Sequence, residues 1–290
     1  MTPRSGGSAA AGLVVLGLAC QEVGASVAVL LFPAAGPLGM VMLRLVFSAV
    51  LLMAIARPAL RGRSRADWHA VILFGLVLAV MNGLFYLALE RLDLGVTVTI
   101  EVLGPLLLSV IVARRPVAWL WAALAFGGVV LLAGGGWQDL DLLGVLFALG
   151  AAASWAGYIL ASERVGRAFS KLEGLALAMV IGAVASLPFG VADAGAALLN
   201  PVTLALGAAV AVLSSAIPYA LELSALRRLA ASAFAILMSL APAIATGAGL
   251  LLLGQVLTPL ELAGIALVVI ASIGAVRTVP RAAPPAEPVA

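Results

Sequence analysis

Ten apolar segments, each close to the length needed to cross a bilayer, follow one another along 290 residues. About 20 apolar residues in a helix span the hydrocarbon core. The segments run over Ala9–Phe32, Gly36–Ala56, His69–Leu89, Leu94–Ala113, Val117–Leu132, Leu142–Ser162, Leu175–Val191, Val202–Leu223, Ala230–Leu253 and Leu260–Val276. The gaps between them are short, and their basic residues alternate. Arg4 precedes the first segment. Arg57, Arg61, Arg63 and Arg65 lie in the second gap, Arg114 and Arg115 in the fourth, and Arg164, Arg167 and Lys171 in the sixth. Arg227 and Arg228 lie in the eighth, and Arg277 and Arg281 follow the last segment. These are fourteen of the sixteen basic residues; the odd-numbered gaps hold only Arg91, and Arg44 lies inside the second segment. Short basic loops stay in the cytoplasm. The sequence thus predicts an all-α polytopic membrane protein with ten transmembrane helices and both termini cytoplasmic.

Composition excludes other classes. With 64% hydrophobic and 10% charged residues, and a mean hydropathy of +1.22, a water-soluble chain of this size could not bury its apolar surface. The net charge of +3 does not indicate nucleic acid, because membrane insertion and anionic headgroups account for loop arginines. Cys20 is the single cysteine, which rules out an internal disulfide and a cysteine-based metal site; it reads as small apolar packing. The first segment is too long for a signal-peptide core and reads as the first span. Residues 1–8 read as a cytoplasmic N-terminus. Residues 278–290, with four prolines, read as a disordered cytoplasmic tail.

The chain also repeats itself. Ala88-Leu89-Glu90-Arg91-Leu92 resembles Ala225-Leu226-Arg227-Arg228-Leu229, and Pro105 meets Pro242, both at an offset of 137. Gly17 and Gly24 meet Gly150 and Gly157 at an offset of 133. Two five-span units result, about residues 9–135 and 141–277. Five is odd, so the second unit enters the membrane inverted, and the loop of Arg91 and that of Arg228 fall on opposite faces. Inverted repeats with binding elements near the midplane are a common secondary-transporter architecture.

Ionisable residues inside spans are costly and point to function by default. Glu22, beside Gln21, is central in the first span, and Arg44 is in the second. Arg44 is a candidate structural ion-pair partner for Glu22, since pairing neutralises both charges. Glu101 follows Thr97 and Thr99 and precedes Pro105, a proline that frees a backbone carbonyl and suits a cavity wall. Its alternative is a hydrogen bond to a neighbouring helix. Glu222, near the cytoplasmic end of the eighth span, either serves the cavity or snorkels. Asn82 and Tyr86 are four residues apart and share a helix face, as do Ser215 and Tyr219. Trp155 and Tyr158 either line the cavity or pack. Trp68, Trp119 and Trp121 read as interfacial anchors, and His69 as a solvated border residue. A cavity glutamate that takes up a proton can couple proton entry to solute exit. No metal cluster, hydrolase or Walker motif is present, so an enzyme and a cofactor are not expected. A non-transporting scaffold would need a sealed core without a polar cavity.

Several stretches resemble one family. They are Asn82-Gly-Leu-Phe-Tyr86, Leu94-Gly-Val-Thr-Val-Thr-Ile-Glu101 with Gly104-Pro105, Arg114-Arg-Pro116, Leu213-Ser-Ser-Ala-Ile-Pro-Tyr219 with Leu221-Glu222, and Phe234-Ala-Ile-Leu-Met-Ser239. The chain is similar to the drug/metabolite transporter superfamily, EamA type, and within it to the bacterial threonine/homoserine exporter branch. The resemblance implies a cavity lined mainly by spans 1, 3, 4, 6, 8 and 9, with spans 5 and 10 peripheral. It also implies ion-gradient-driven export of small amino acids or related metabolites across a bacterial inner membrane, by a monomer or homodimer. Asn82, Tyr86, Glu101, Tyr219 and Glu222 match the branch pattern. Ala241 and Gln255 depart from it, standing where acidic residues are usual. A drug-like or hydrophobic cargo is the alternative within the same fold.

Overall fold

The computed structural model describes residues 5–113, 116–132, 141–169, 171–226, 228–229 and 231–278. Arg4, Arg114, Arg115, Arg227, Arg281 and the expected tail from 279 onward lie outside the described residues. Regular structure among the described residues is helical. Helix α1 covers Ser5–Ala35, α2 Pro37–Ala56 and α3 Arg65–Leu89. The fourth span is split into α4 (Leu94–Glu101) and α5 (Leu103–Ala113). Then come α6 (Pro116–Leu132), α7 (Leu142–Ala168) and α8 (Lys171–Ala194). The eighth span is α9 (Pro201–Ala211), a π-helical turn (Val212–Ala216) and α10 (Ile217–Leu226). The ninth is α11 (Ala231–Met238), α12 (Ala241–Ala248) and a second π turn (Gly249–Leu253), and α13 (Pro259–Thr278) is the tenth. Among the described residues nine spans reach 18 residues or more; α6 is a shorter apolar helix of 17.

The sequence explains where helices start and break. Pro37, Pro116, Pro201 and Pro259 each stand at the first residue of a helix, where the missing N–H has no intrahelical partner to lose. Ser64 and Asp67 form a reciprocal capping box at α3, and Asp141 caps α7 through the Gly144 N–H. Inside a span, proline has the opposite effect, because the carbonyl four residues earlier loses its donor. Pro105 therefore frees the Glu101 carbonyl, and α4 ends at Glu101. Pro242 frees the Met238 carbonyl, and α11 ends at Met238. The sequence predicts continuous spans over both; each helix instead stops at the residue whose carbonyl the proline leaves without its donor, although α8 runs on through Pro188.

Packing among the spans follows one rule. Span 2 packs on 7, 4 on 9, and 5 on 10, while 3 packs on 6 and 7 just as 8 packs on 1 and 2. Exchanging each of these spans for the one five places away returns the same pairings. Glycines make these approaches possible, as small residues do between membrane helices. Gly17 and Gly24 of α1 face Leu221 and Ser214; Gly150 and Gly157 of α7 face Leu84 and Val77. Leu84 and Leu221, like Val77 and Ser214, are 137 positions apart. Gly128 and Gly264 meet across spans 5 and 10, each facing the other's carbonyl oxygen.

Polar contacts tie the helix ends. Asp193 accepts from the N–H groups of Leu38 (2.8 Å) and Gly39 (3.2 Å) at the start of α2. The turn there needs Gly36, whose φ is +66° and whose α-carbon lies against the Asp193 carboxylate. Arg63 reaches the Ala168 carbonyl at 2.8 Å and Glu173 at 3.1 Å, with its guanidinium 4.4 Å from the centre of the Phe169 ring. Arg91 pairs with Asp141 at 2.9 Å. The Gly144 N–H, and then Arg91, hold the Asp141 carboxyl below its ordinary range. Trp121 donates to Thr278 at 3.1 Å, Trp119 is exposed on the helix surface, and His69 is exposed.

Gly104 of α5 lies directly on the Ala152 backbone of α7, whereas a methyl at Gly12 of α1 would meet nothing within 4 Å. Gly104→Ala is expected to destabilise by about 1–3 kcal/mol through overpacking. Gly12→Ala should be neutral or stabilise by up to about 1 kcal/mol through helix propensity. Thermal unfolding of the two variants in detergent checks the opposite signs.

Candidate functional site

A cavity of about 180 Å³ lies among the spans, about halfway along α1. Its wall includes Gln21, Glu22, Arg44, Asn82, Glu101 and Glu222, together with Trp155, Tyr158 and Ser214. Spans 1, 3, 4, 6, 8 and 9 all contribute, as expected. Spans 2 and 7 contribute as well, through Arg44, Leu45 and Met179. Three carboxylates and one guanidinium thus share one small space, drawn from four different helices.

Arg44 is positioned by backbone chemistry. Pro218 has no N–H to give the Ser214 carbonyl four residues earlier. Arg44 Nη2 donates to that oxygen at 3.2 Å. Its Nη1 donates to the Tyr86 hydroxyl at 3.4 Å, and the guanidinium lies 5.8 Å from the centre of the Tyr86 ring. Arg44 is near enough to interact electrostatically with both Glu22 and Glu101. Glu22 is 2% exposed, and among the described residues its Oε2 has no hydrogen-bond partner.

Some expected residues stand behind the wall rather than on it. Tyr86 is fully buried and supports Arg44. Ser215 accepts from Ser48 Oγ at 3.0 Å, and Ser214 takes the place on the cavity wall. The π turn over Val212–Ala216 carries an extra residue, so the four-residue spacing used for Ser215 and Tyr219 does not run through it. The backbone of Tyr219 lies in α10, and its side chain lies outside the described residues. Thr97 and Thr99 bond back to the carbonyls of Asp93 and Gly95 and are buried away from the cavity. Met81, Met179 and Met238 are wall residues that sequence reasoning did not single out; an uncharged side chain in an apolar span carries no mark of facing a cavity.

One of the two departures from the family pattern has a structural explanation. Gln255 Oε1 accepts from the Leu94 N–H at 3.0 Å, capping α4 where the side chain of Asp93 makes no capping bond. Burial, and then the nearby Glu261, push the Asp93 carboxyl up. Ala241 is buried at the first turn of α12.

The sequence profile of the EamA-like transporter family matches residues 142–277. The threonine/homoserine exporter RhtA of Escherichia coli K12 is 37% identical over 269 residues, covering 92% of this chain and 91% of that protein. The chain belongs to the EamA-like transporter family, in its RhtA-like branch. The RhtA of Salmonella typhimurium LT2 is 37% identical over 93% of this chain and 92% of its own length. The uncharacterized transporter YwfM of Bacillus subtilis is 29% identical over 70% of this chain and 71% of its length. A crystal structure of a protein with 18% identity matches the fold with a TM-score of 0.61, covering 95% of this chain and 97% of that one. This EamA-like chain is therefore a multi-pass membrane protein whose relatives are transporters.

Arg44→Ala removes donors from the Ser214 carbonyl and the Tyr86 hydroxyl and leaves the carboxylates unbalanced. A loss of about 1.5–3 kcal/mol is expected from the charged hydrogen bonds. Adding Glu22→Gln should recover part of it by removing an uncompensated charge. Unfolding midpoints of the single and double variants measure this coupling.

Proposed function

We propose that this chain is a secondary exporter of small, threonine- or homoserine-like amino acids or related metabolites. The observation that carries this reading is the cavity, where carboxylates and a guanidinium meet in about 180 Å³. That space lies below the roughly 300–1,000 Å³ usual for drug-sized ligands, which favours a small polar solute over a drug-like one. The names of the RhtA relatives support the same class of cargo. A sealed scaffold is disfavoured by the same cavity.

In this reading residues 9–135 and 141–277 are inverted five-helix units that exchange roles as access alternates. Three features support it: the span pairings that return on exchange, the paired glycine contacts, and the paired breaks at Glu101 and Met238. Discontinuous helices around a central site are a recurrent transporter device. Both termini are cytoplasmic in a bacterial inner membrane, with the Arg63–Glu173 contact inside and the Arg91–Asp141 contact outside. Export is driven by a proton gradient, with Glu101, and Glu22 beside it, as the protonatable groups.

Cells loaded with labelled threonine and homoserine should lose label faster when they produce the protein, and an uncoupler should abolish the difference. Equal efflux with and without the protein across a panel of amino acids would sink the exporter reading. Glu101→Gln should abolish the proton dependence; normal transport with full gradient dependence would remove Glu101 from the coupling role. Orientation has its own test, in a Cys20→Ala background. A cysteine at Gly62 should react with an impermeant maleimide only after the membrane is opened, and one at Leu199 from outside.

A further inference from the structure

We propose that Arg44 binds the carboxylate of the transported solute and Glu22 its ammonium group, so that the cavity selects zwitterionic α-amino acids with uncharged side chains. This rests on the exporter reading and adds the way in which the solute is held. Arg44 is the one cation among the described residues of the cavity wall. Its planar fork matches a carboxylate, and fixing the fork in advance reduces the ordering cost of binding. The Ser214 carbonyl and the Tyr86 hydroxyl do the fixing, and Pro218 keeps the Ser214 carbonyl available for it.

Glu22 supplies the complementary end. A buried carboxylate oxygen without a donor is rare and calls for a partner. Glu22 Oε2 is in that state among the described residues, and Glu22 lies on the cavity wall. An ammonium group provides the missing donor. A zwitterion brings both groups while adding no net charge, which lowers the cost of entering a low-dielectric space relative to an amine or an acid alone. Beside the polar Asn82, Glu101 and Glu222, the rest of the wall has an apolar part formed by Met81, Met179 and Met238. Thioethers adapt to varied shapes, so side chains of several uncharged types fit, within the limit set by about 180 Å³.

The test uses the full-length protein in liposomes and measures counterflow of labelled threonine. Unlabelled competitors are threonine, valine and methionine, then lysine and aspartate. Threonine carboxamide and the corresponding amino alcohol lack the carboxylate, and the 2-hydroxy acid analogue lacks the amine. Neutral amino acids should compete, and each analogue lacking one group should compete at least tenfold more weakly. In Arg44→Gln the gap between threonine and its carboxamide should close; in Glu22→Gln the gap to the hydroxy acid should narrow. Carboxamide competing as well as threonine in the wild type overturns the assignment, as does a full gap persisting in folded Arg44→Gln. Where that variant does not fold, the wild-type ranking decides. If neither threonine nor any neutral amino acid exchanges at all, the exporter reading itself fails and takes this assignment with it.

Discussion

A proline inside a membrane helix leaves a carbonyl that water cannot reach, and that carbonyl must find a donor elsewhere. Here the oxygen is that of Ser214, and the donor is Arg44 from a different helix. The bond joins spans 2 and 8, draws Tyr86 of span 3 into the arrangement, and places a positive charge opposite Glu22 and Glu101. The cavity is held open by polar groups that require one another.

The outer shell obeys simpler physics. Spans 5 and 10 meet glycine to glycine at Gly128 and Gly264 and are absent from the cavity wall. Their role is to let backbones approach closely where no solvent drives association. The end contacts, such as Arg91–Asp141, are partly exposed pairs of modest individual worth. They fix which helix ends stay together more than they hold the fold.

Much of this could be read from the sequence. Spans are legible because hydrophobic length is a bulk property, and the breaks because proline acts locally on the residue four places before it. Glu22, Arg44, Asn82, Glu101 and Glu222 stood out because charge and amide groups are scarce in lipid, and the structure gathers them on one wall. What was not legible depends on register or on absence of contrast. Ser214 replaced Ser215 on the wall because a π turn changes the helical period. Met179 and Leu45 drew spans 2 and 7 into the cavity, and nothing distinguishes such residues from core or lipid-facing ones. The sequence marks the guanidinium as a partner for Glu22 alone, whereas its place depends on a carbonyl, a feature that every residue has.

The paired helix breaks differ in one respect. Glu101 and Met238 hold matching positions at an offset of 137, yet one is a carboxyl and the other a thioether. A voltage across the bilayer acts on charge, at about 2.3 kcal/mol per elementary charge carried through 100 mV. When Glu101 is ionised, the electric field exerts a force on the break in the first half and none on its counterpart. The two breaks then respond unequally to membrane potential.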